Sequence, residues 1–140
     1  MASRTEVVTA ARQWIDTRWS HQHRFKGVGT DCAGLVLGVA AELNLANPDV
    51  PAYSRQPANG SLTKYCLEHM RIVGDLALGR VALLRFSDEP QHLGIVGDYP
   101  LGGFSLIHAY ATSRKVVEHR IDELWRNRII ALFELPGVTE

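Results

Sequence analysis

Long apolar runs are missing from this chain: no stretch approaches the roughly 18 residues that a membrane-spanning helix needs, so no membrane insertion is expected. Charge of one sign is missing too. Lys plus Arg is 15 and Asp plus Glu is 15, giving a formal net charge of zero. That balance removes the global basic bias that would favour nucleic acid. Cysteine is scarce. Cys32 and Cys66 are the two present, no CxxC occurs, and two residues do not make a disulfide framework, so both are read as thiols. The opening stretch "MASRTEVVTAARQW" has no apolar segment after a basic one, so no secretory leader is expected and synthesis in the cytoplasm is. No internal repeat and no low-complexity segment interrupts the chain.

What is present suits a folded globular protein. The composition is 46% hydrophobic and 21% charged over 140 residues, enough for one hydrophobic core and too short for two ordinary ones, so a single domain over 1–140 is expected. The first half reads helical. Ser3 followed by Glu6 is a capping-box pattern, and Val7, Ala10, Ala11, Trp14 and Ile15 share a helical stripe. Residues 17–31 read as a loop ending in a turn with Gly27 and Gly29. Residues 32–45, "CAGLVLGVAAELNL", are apolar nearly all round and predict a buried helix that stops before Pro48, with Asp31 or Thr30 as its cap. The stretch 46–60, with Pro48, Pro51 and Pro57, reads as a loop, and 61–72 returns to helical spacing.

After about residue 78 the pattern turns to strands: 80–86, 92–99, 102–110, 115–121 and 129–135, with a short helix over 122–127. Helices first and an antiparallel meander afterwards predict an α+β fold, with the 32–45 helix packed on the sheet.

Three residues draw attention for chemistry. Cys32 stands at a predicted helix N-terminus, where the dipole favours thiolate, although Asp31 beside it pushes the other way. Position alone leaves Cys32 open to a second reading, as a small core residue. His92 in "HLGIVG" and His108 in "LIHAYA" lie on apolar strands that would pair and bring both rings to one sheet face. Each alone reads as a hydrogen-bonded core histidine. Together, a cysteine, a base and a group that orients the base are what nucleophilic catalysis needs. Cys66 reads as core. His69 and His119, set among charged residues, read as solvent-facing. His21 and His23 with Cys32 are a possible metal cluster that lacks an evident fourth ligand. Trp14, Trp19 and Phe25 line a groove or close the core over the loop.

Taken in order, "GTDCAGLV", "HLGIVGD" and "LIHAY" resemble the NlpC/p60 family of papain-like cysteine peptidases, which cleave peptide stems of bacterial cell walls. The resemblance runs from about Thr5 to Pro136. With "KGVGTDCAGLV" and the terminal "VVEHRID" it is nearest to the phage-tail branch. It implies Cys32 as nucleophile, His92 as base and His108 as the third catalytic residue. It implies Trp19, in place of the family's frequent tyrosine, and Asp31 as substrate-binding residues. It implies no metal and no cofactor, a peptidoglycan stem peptide as substrate, other tail proteins as partners, and delivery to the host wall in a virion tail. The other reading it leaves open is a tail-assembly component that uses the fold for protein contacts.

Overall fold

The computed structural model describes residues 1–21, 23–45, 61–86 and 90–139; the loop expected over 46–60 lies outside them. In chain order the elements are β1 (Ala2–Ser3), α1 (Arg4–Arg12), β2 (Arg24–Phe25), β3 (Gly29–Thr30), α2 (Cys32–Glu42), α3 (Ser61–His69), β4 (Arg71–Val73), β5 (Val81–Arg85), β6 (Pro90–Asp98), β7 (Phe104–Tyr110), β8 (Lys115–Arg120), α4 (Glu123–Arg128), β9 (Ile129–Glu134) and β10 (Val138–Thr139).

The first helix starts where the capping box places it. The Ser3 hydroxyl accepts from the Glu6 N–H at 3.1 Å, and the Glu6 carboxylate accepts from the Ser3 N–H at 2.9 Å. Val7, Ala10, Ala11 and Trp14 are buried as the stripe requires, but Ile15 is 36% exposed because the helix has already ended at Arg12. The second helix is buried along almost its whole length, from Cys32 to Ala40, as an all-round apolar helix should be. It stops at Glu42, short of the expected end, where Asn44 turns left-handed at φ 57°. Trp14 packs beside it and donates its indole N–H to Glu42 at 2.6 Å. The third helix also ends early, at His69. Residues 71–73 become a strand because Ile72 pairs with Phe133.

Six strands form one antiparallel sheet in the order β4-β9-β5-β6-β7-β8. The α+β class is as expected, and β5 to β8 are a meander. The last long strand departs from that pattern. It returns past α4 to lie between β4 and β5, with Val81 opposite Phe133. The reason lies in β5: Val81 to Leu84 are all fully buried, which a central strand satisfies and an edge strand would not. One core, beneath α1 and α2, includes Cys32, Leu35, Leu93, Ile95, Ile107 and Phe133. A smaller one, toward α4, gathers Ala82, Leu84, Val96, Leu106 and Ile121. Two-residue strands β1 and β10 pair in parallel and tie the chain ends together.

Candidate functional site

The loop before α2 is stitched down by its own backbone. Thr30 donates to Arg18 and accepts from Ser20, both at 2.9 Å, and Asp31 donates to the His23 carbonyl at 3.2 Å. The helix can then begin at residue 32, because the Asp31 carboxylate accepts from the Gly34 N–H at 2.8 Å. Gly34 is required where it is. A Cβ there would stand 2.1 Å from the His23 carbonyl oxygen. The result holds Cys32 as the first helical residue, 9% exposed.

Burial and charge weigh against a thiolate at Cys32. Burial, then the charge of Asp31, push Cys32 up to about 12, while the backbone N–H groups of Leu93, Ala33 and Cys32 itself pull the other way. The expectation of a thiolate at the helix tip is therefore corrected for the resting protein: desolvation outweighs the helix end. Asp31 does turn its carboxylate into the helix cap, yet its charge still reaches the sulfur.

The two strand histidines meet as the hairpin pairing requires. His92 Nε2 lies 2.6 Å from His108 Nδ1, with ring centroids 4.8 Å apart and nearly perpendicular. Both are buried. The pairing of β5 with β6 shifts register beside Leu84, the residue opposite His92, an irregularity of the kind that re-aims side chains at sites. Gly94 leaves the room this needs: a Cβ there would meet Leu106 at 2.5 Å and the His108 Cβ at 3.2 Å. Burial, and then the charge of His119, lower His92 to about 3. His108 is lowered as well, by burial first and then by His92 and His119.

His119 was expected to face solvent. It is half-buried instead, and its Nε2 lies 2.8 Å from His108 Nε2. Its Nδ1 lies 3.0 Å from the Arg120 carbonyl oxygen, to which it donates. The signal for this was available in strand parity. His119 is two residues from Ile121, which joins the smaller core, so both point the same way. An aromatic wall surrounds the three rings, also unforeseen. Phe86 lies 5.2 Å from His92, Tyr110 5.1 Å from His108, and Trp125 4.6 Å from His119. The Arg128 guanidinium sits over both Phe86 and Trp125, at 5.1 and 4.6 Å.

The structure thus joins His92 to His108 by a hydrogen bond. Among the described residues it gives none between Cys32 and His92. The sulfur's neighbour on β6 is the backbone N–H of Leu93, the next residue along. Leu93 belongs to the core beneath α2, while His92 pairs opposite Leu84 of the smaller core. Trp19 is half-buried against the α2-side core. It bridges Thr30 in parallel and stacks on His21 at 6.5 Å. Asp31 is buried and caps the helix. Trp14 closes the core and Phe25 is 62% exposed. Cys66 is fully buried, as a core residue should be, and His69 is half-buried. His23 bonds the Ser20 hydroxyl, and among the described residues no three His, Cys, Asp or Glu side chains gather to hold a metal.

Two buried neutral histidines make folding sensitive to acid. The unfolded chain takes up protons on His92 and His108 near pH 6.5, and the folded one resists down to about 3 for His92. Stability is present above pH 6.5 and is lost as pH falls below it, by about 1.4 kcal/mol per pH unit for each such histidine. Urea midpoints between pH 7 and pH 5 should fall accordingly. His108→Gln should flatten the slope, and an unchanged slope in that variant would refute the assignment.

No family model and no curated protein matches this sequence. Solved structures match through the fold. The NlpC/p60 domain of the peptidoglycan hydrolase SagA superposes with a TM-score of 0.63 at 17% identity, covering 94% of this chain and 98% of that one. An NLP/P60-family lipoprotein-like protein from Staphylococcus aureus matches at a TM-score of 0.64 and 13% identity, over 96% of this chain. The chain spans 41% of that protein's length. An N-acetylmuramoyl-L-alanine amidase from Bacteroides uniformis matches at 0.60 and 12% identity, over 95% of this chain and 97% of that one. The fold is that of the papain-like NlpC/p60 domains. Within that class, the likeness is to a peptidoglycan hydrolase domain, a lipoprotein-like protein and an amidase; a tail-protein relative is not among these three.

Proposed function

We propose that this chain is a cysteine hydrolase that cleaves amide bonds in the stem peptides of bacterial peptidoglycan. The observation that carries the reading is the pairing of two features around β6. Cys32 opens α2 with its sulfur at the Leu93 N–H, and His92, one residue before, spends Nε2 on His108. That leaves Nδ1 as the ring nitrogen for the thiol proton. Burial raises the Cys32 thiol and lowers the His92 imidazole, which favours the uncharged form of each, and the proposed step is accordingly general-base catalysis. In the resting protein Leu93 and His92 point to opposite faces of β6, so the reading requires the start of β6 to move until the thiol and Nδ1 come into reach in the substrate complex.

In the proposed reaction the S–H bond breaks as His92 Nδ1–H forms, and the sulfur adds to the carbonyl carbon. The oxyanion is held by the N–H groups of Cys32 and Ala33 at the first turn of α2, which in the resting protein face the sulfur. The C–N bond then breaks, Nδ1 returns its proton to the leaving amine, and a thioester remains. Water attacks the thioester with His92 again as base and frees the sulfur. His108 holds His92 in orientation. Trp19, bridged to the strand that leads into Cys32, is proposed to wall the cleft. Asp31 is proposed to lend charge to a substrate amine beyond its capping role.

The substrate class is supported by the similar structures, whose names specify a peptidoglycan hydrolase and a muramoyl-alanine amidase. Of the two bond types we favour a peptide bond within the stem, on the resemblance of the "DCAG", "HLGI" and "IHAY" motifs to endopeptidases. Delivery of the domain in a phage tail, with tail proteins as partners, is part of the same proposal and rests on the sequence resemblance.

The test is incubation of the purified protein with purified peptidoglycan, followed by mass spectrometry of the released fragments. A stem cut between two amino acids is expected. A free lactyl group with an intact stem would assign an amidase instead, and unaltered peptidoglycan would sink the hydrolase reading.

A further inference from the structure

We propose that His119 is a positioning residue and the outer end of a three-histidine proton relay, in which its bond to the Arg120 carbonyl sets the tautomers of His108 and His92 and its Nε2 receives the last proton passed along the chain.

The tautomers follow from one acceptor. A backbone carbonyl has no proton to give, so His119 Nδ1 must donate to the Arg120 oxygen. In neutral His119 the other nitrogen, Nε2, is then a lone pair. It can accept only if His108 carries its proton on Nε2. Neutral His108 then presents Nδ1 as a lone pair, which accepts from His92 Nε2–H. His92 is left with Nδ1 bare. A single carbonyl on β8 thereby specifies the protonation of three rings, and the result is a base with its lone pair on the nitrogen that His108 does not use.

The same bonds form a path for charge. When His92 Nδ1 gains a proton, its Nε2–H bond breaks as His108 Nδ1–H forms. His108 Nε2–H breaks as His119 Nε2–H forms. Atoms and charge balance: one proton enters at His92, and the positive charge rests on His119, which is half-buried whereas the other two are buried. An imidazolium is far less costly at the half-buried ring than at either of the two buried ones. His108 faces His119 from β7, and Arg128 of α4 faces it across the Trp125 ring. Glu118 and Arg120 flank it on β8, with Glu118 held by Arg12 and Ser105. Reversal of the path returns the proton to His92 for the leaving amine. The tautomer assignment is independent of the hydrolase reading; the role of the relay in turnover rests on it.

Long-range proton–nitrogen NMR of the histidine-labelled protein reads all three rings directly. Near neutral pH, protons are expected on Nδ1 of His119 and on Nε2 of His108 and His92. A proton on Nε2 of His119 or on Nδ1 of His92 would overturn the assignment. When the network takes up a proton, the protons of His92 and His108 are expected to move from Nε2 to Nδ1, and protons that stay on Nε2 would refute the relay. His119→Gln separates the two roles, because a glutamine carbonyl can accept from His108 Nε2–H but takes no proton. It should keep the neutral tautomers of His92 and His108 while lowering kcat at least tenfold with KM little changed. Unchanged kcat would reject the relay. Absence of hydrolysis by the wild-type protein would instead count against the hydrolase reading, with the spectra still deciding the resting tautomers and their switch.

Discussion

Cys32→Ala should reduce release of peptidoglycan fragments to background while leaving the melting temperature within a few degrees of wild type. Both halves follow from the position of the residue. The alanine keeps the Cβ and the helical backbone, so the Asp31 cap on Gly34 and the contacts of Leu35 and Val36 with the core survive. Only one buried atom is lost, the scale of change that costs about 1 kcal/mol. Catalysis has no substitute nucleophile at that point. The other cysteine, Cys66, is fully buried, and burial pushes its thiol up to about 12. Circular dichroism and thermal melting check the fold; fragment release checks the chemistry. Full activity in Cys32→Ala would eliminate the nucleophile assignment. Loss of activity with a collapsed melting temperature would show a structural residue and count equally against it. The variant should also be less sensitive to alkali. Cys32 is raised in the folded state, so its contribution is intact below the unfolded thiol value, near 8.5, and is lost as pH rises toward about 12. The fall in stability above pH 8.5 should be shallower without the thiol.

Much of this arrangement was legible in the sequence, because local rules specify it. The capping box at Ser3 and Glu6, the all-round apolar α2 and the alternating or wholly apolar strands each carry a local pattern, and the structure follows them. The hairpin that brings His92 to His108 was legible for the same reason. What escaped depends on partners distant in sequence. Residues 71–73 leave the helical pattern because Phe133 offers a strand partner some sixty positions away. The insertion of β9 between β4 and β5 answers the burial of β5, a property of the assembled sheet. His119 looked solvent-facing between Glu118 and Arg120, yet alternation on a strand separates neighbours. Glu118 bonds Arg12 and Ser105, while His119 turns to His108. The state of the Cys32 thiol was unreadable because a helix end and a low-dielectric interior act in opposite directions, and only the degree of burial decides between them.

Glu134→Ala should cost about 3–5 kcal/mol of folding stability, the range for breaking a buried ion pair from one side. Glu134 ends β9 and its side chain is 4% exposed. Arg4, the first residue of α1, grips it with two parallel bonds of 2.8 and 2.5 Å, and Arg80 approaches to 3.8 Å with its side chain 11% exposed. Removing the carboxylate takes the shared anion from two largely buried guanidinium groups, leaving Arg80 with Asp75 and Arg4 with the Leu78 carbonyl among their described partners. The cluster also closes the fold, since it joins the start of α1 to the end of β9 beside the β1–β10 pairing. A domain of this size is stable by about 5–15 kcal/mol, so the loss is a large share of the whole. Arg71 is the internal control. It lies 3.7 Å from the same carboxylate but is 73% exposed, and solvent screening should hold the effect of Arg71→Ala below about 1 kcal/mol. Urea unfolding of both variants at pH 7 measures the contrast. A cost under 1 kcal/mol for Glu134→Ala, or equal costs for the two variants, would show that burial does not set the strength of this cluster. Because the cluster anchors β9 against β5, and β5 sets the register opposite His92, any Glu134 variant that remains folded should also show perturbed histidine resonances.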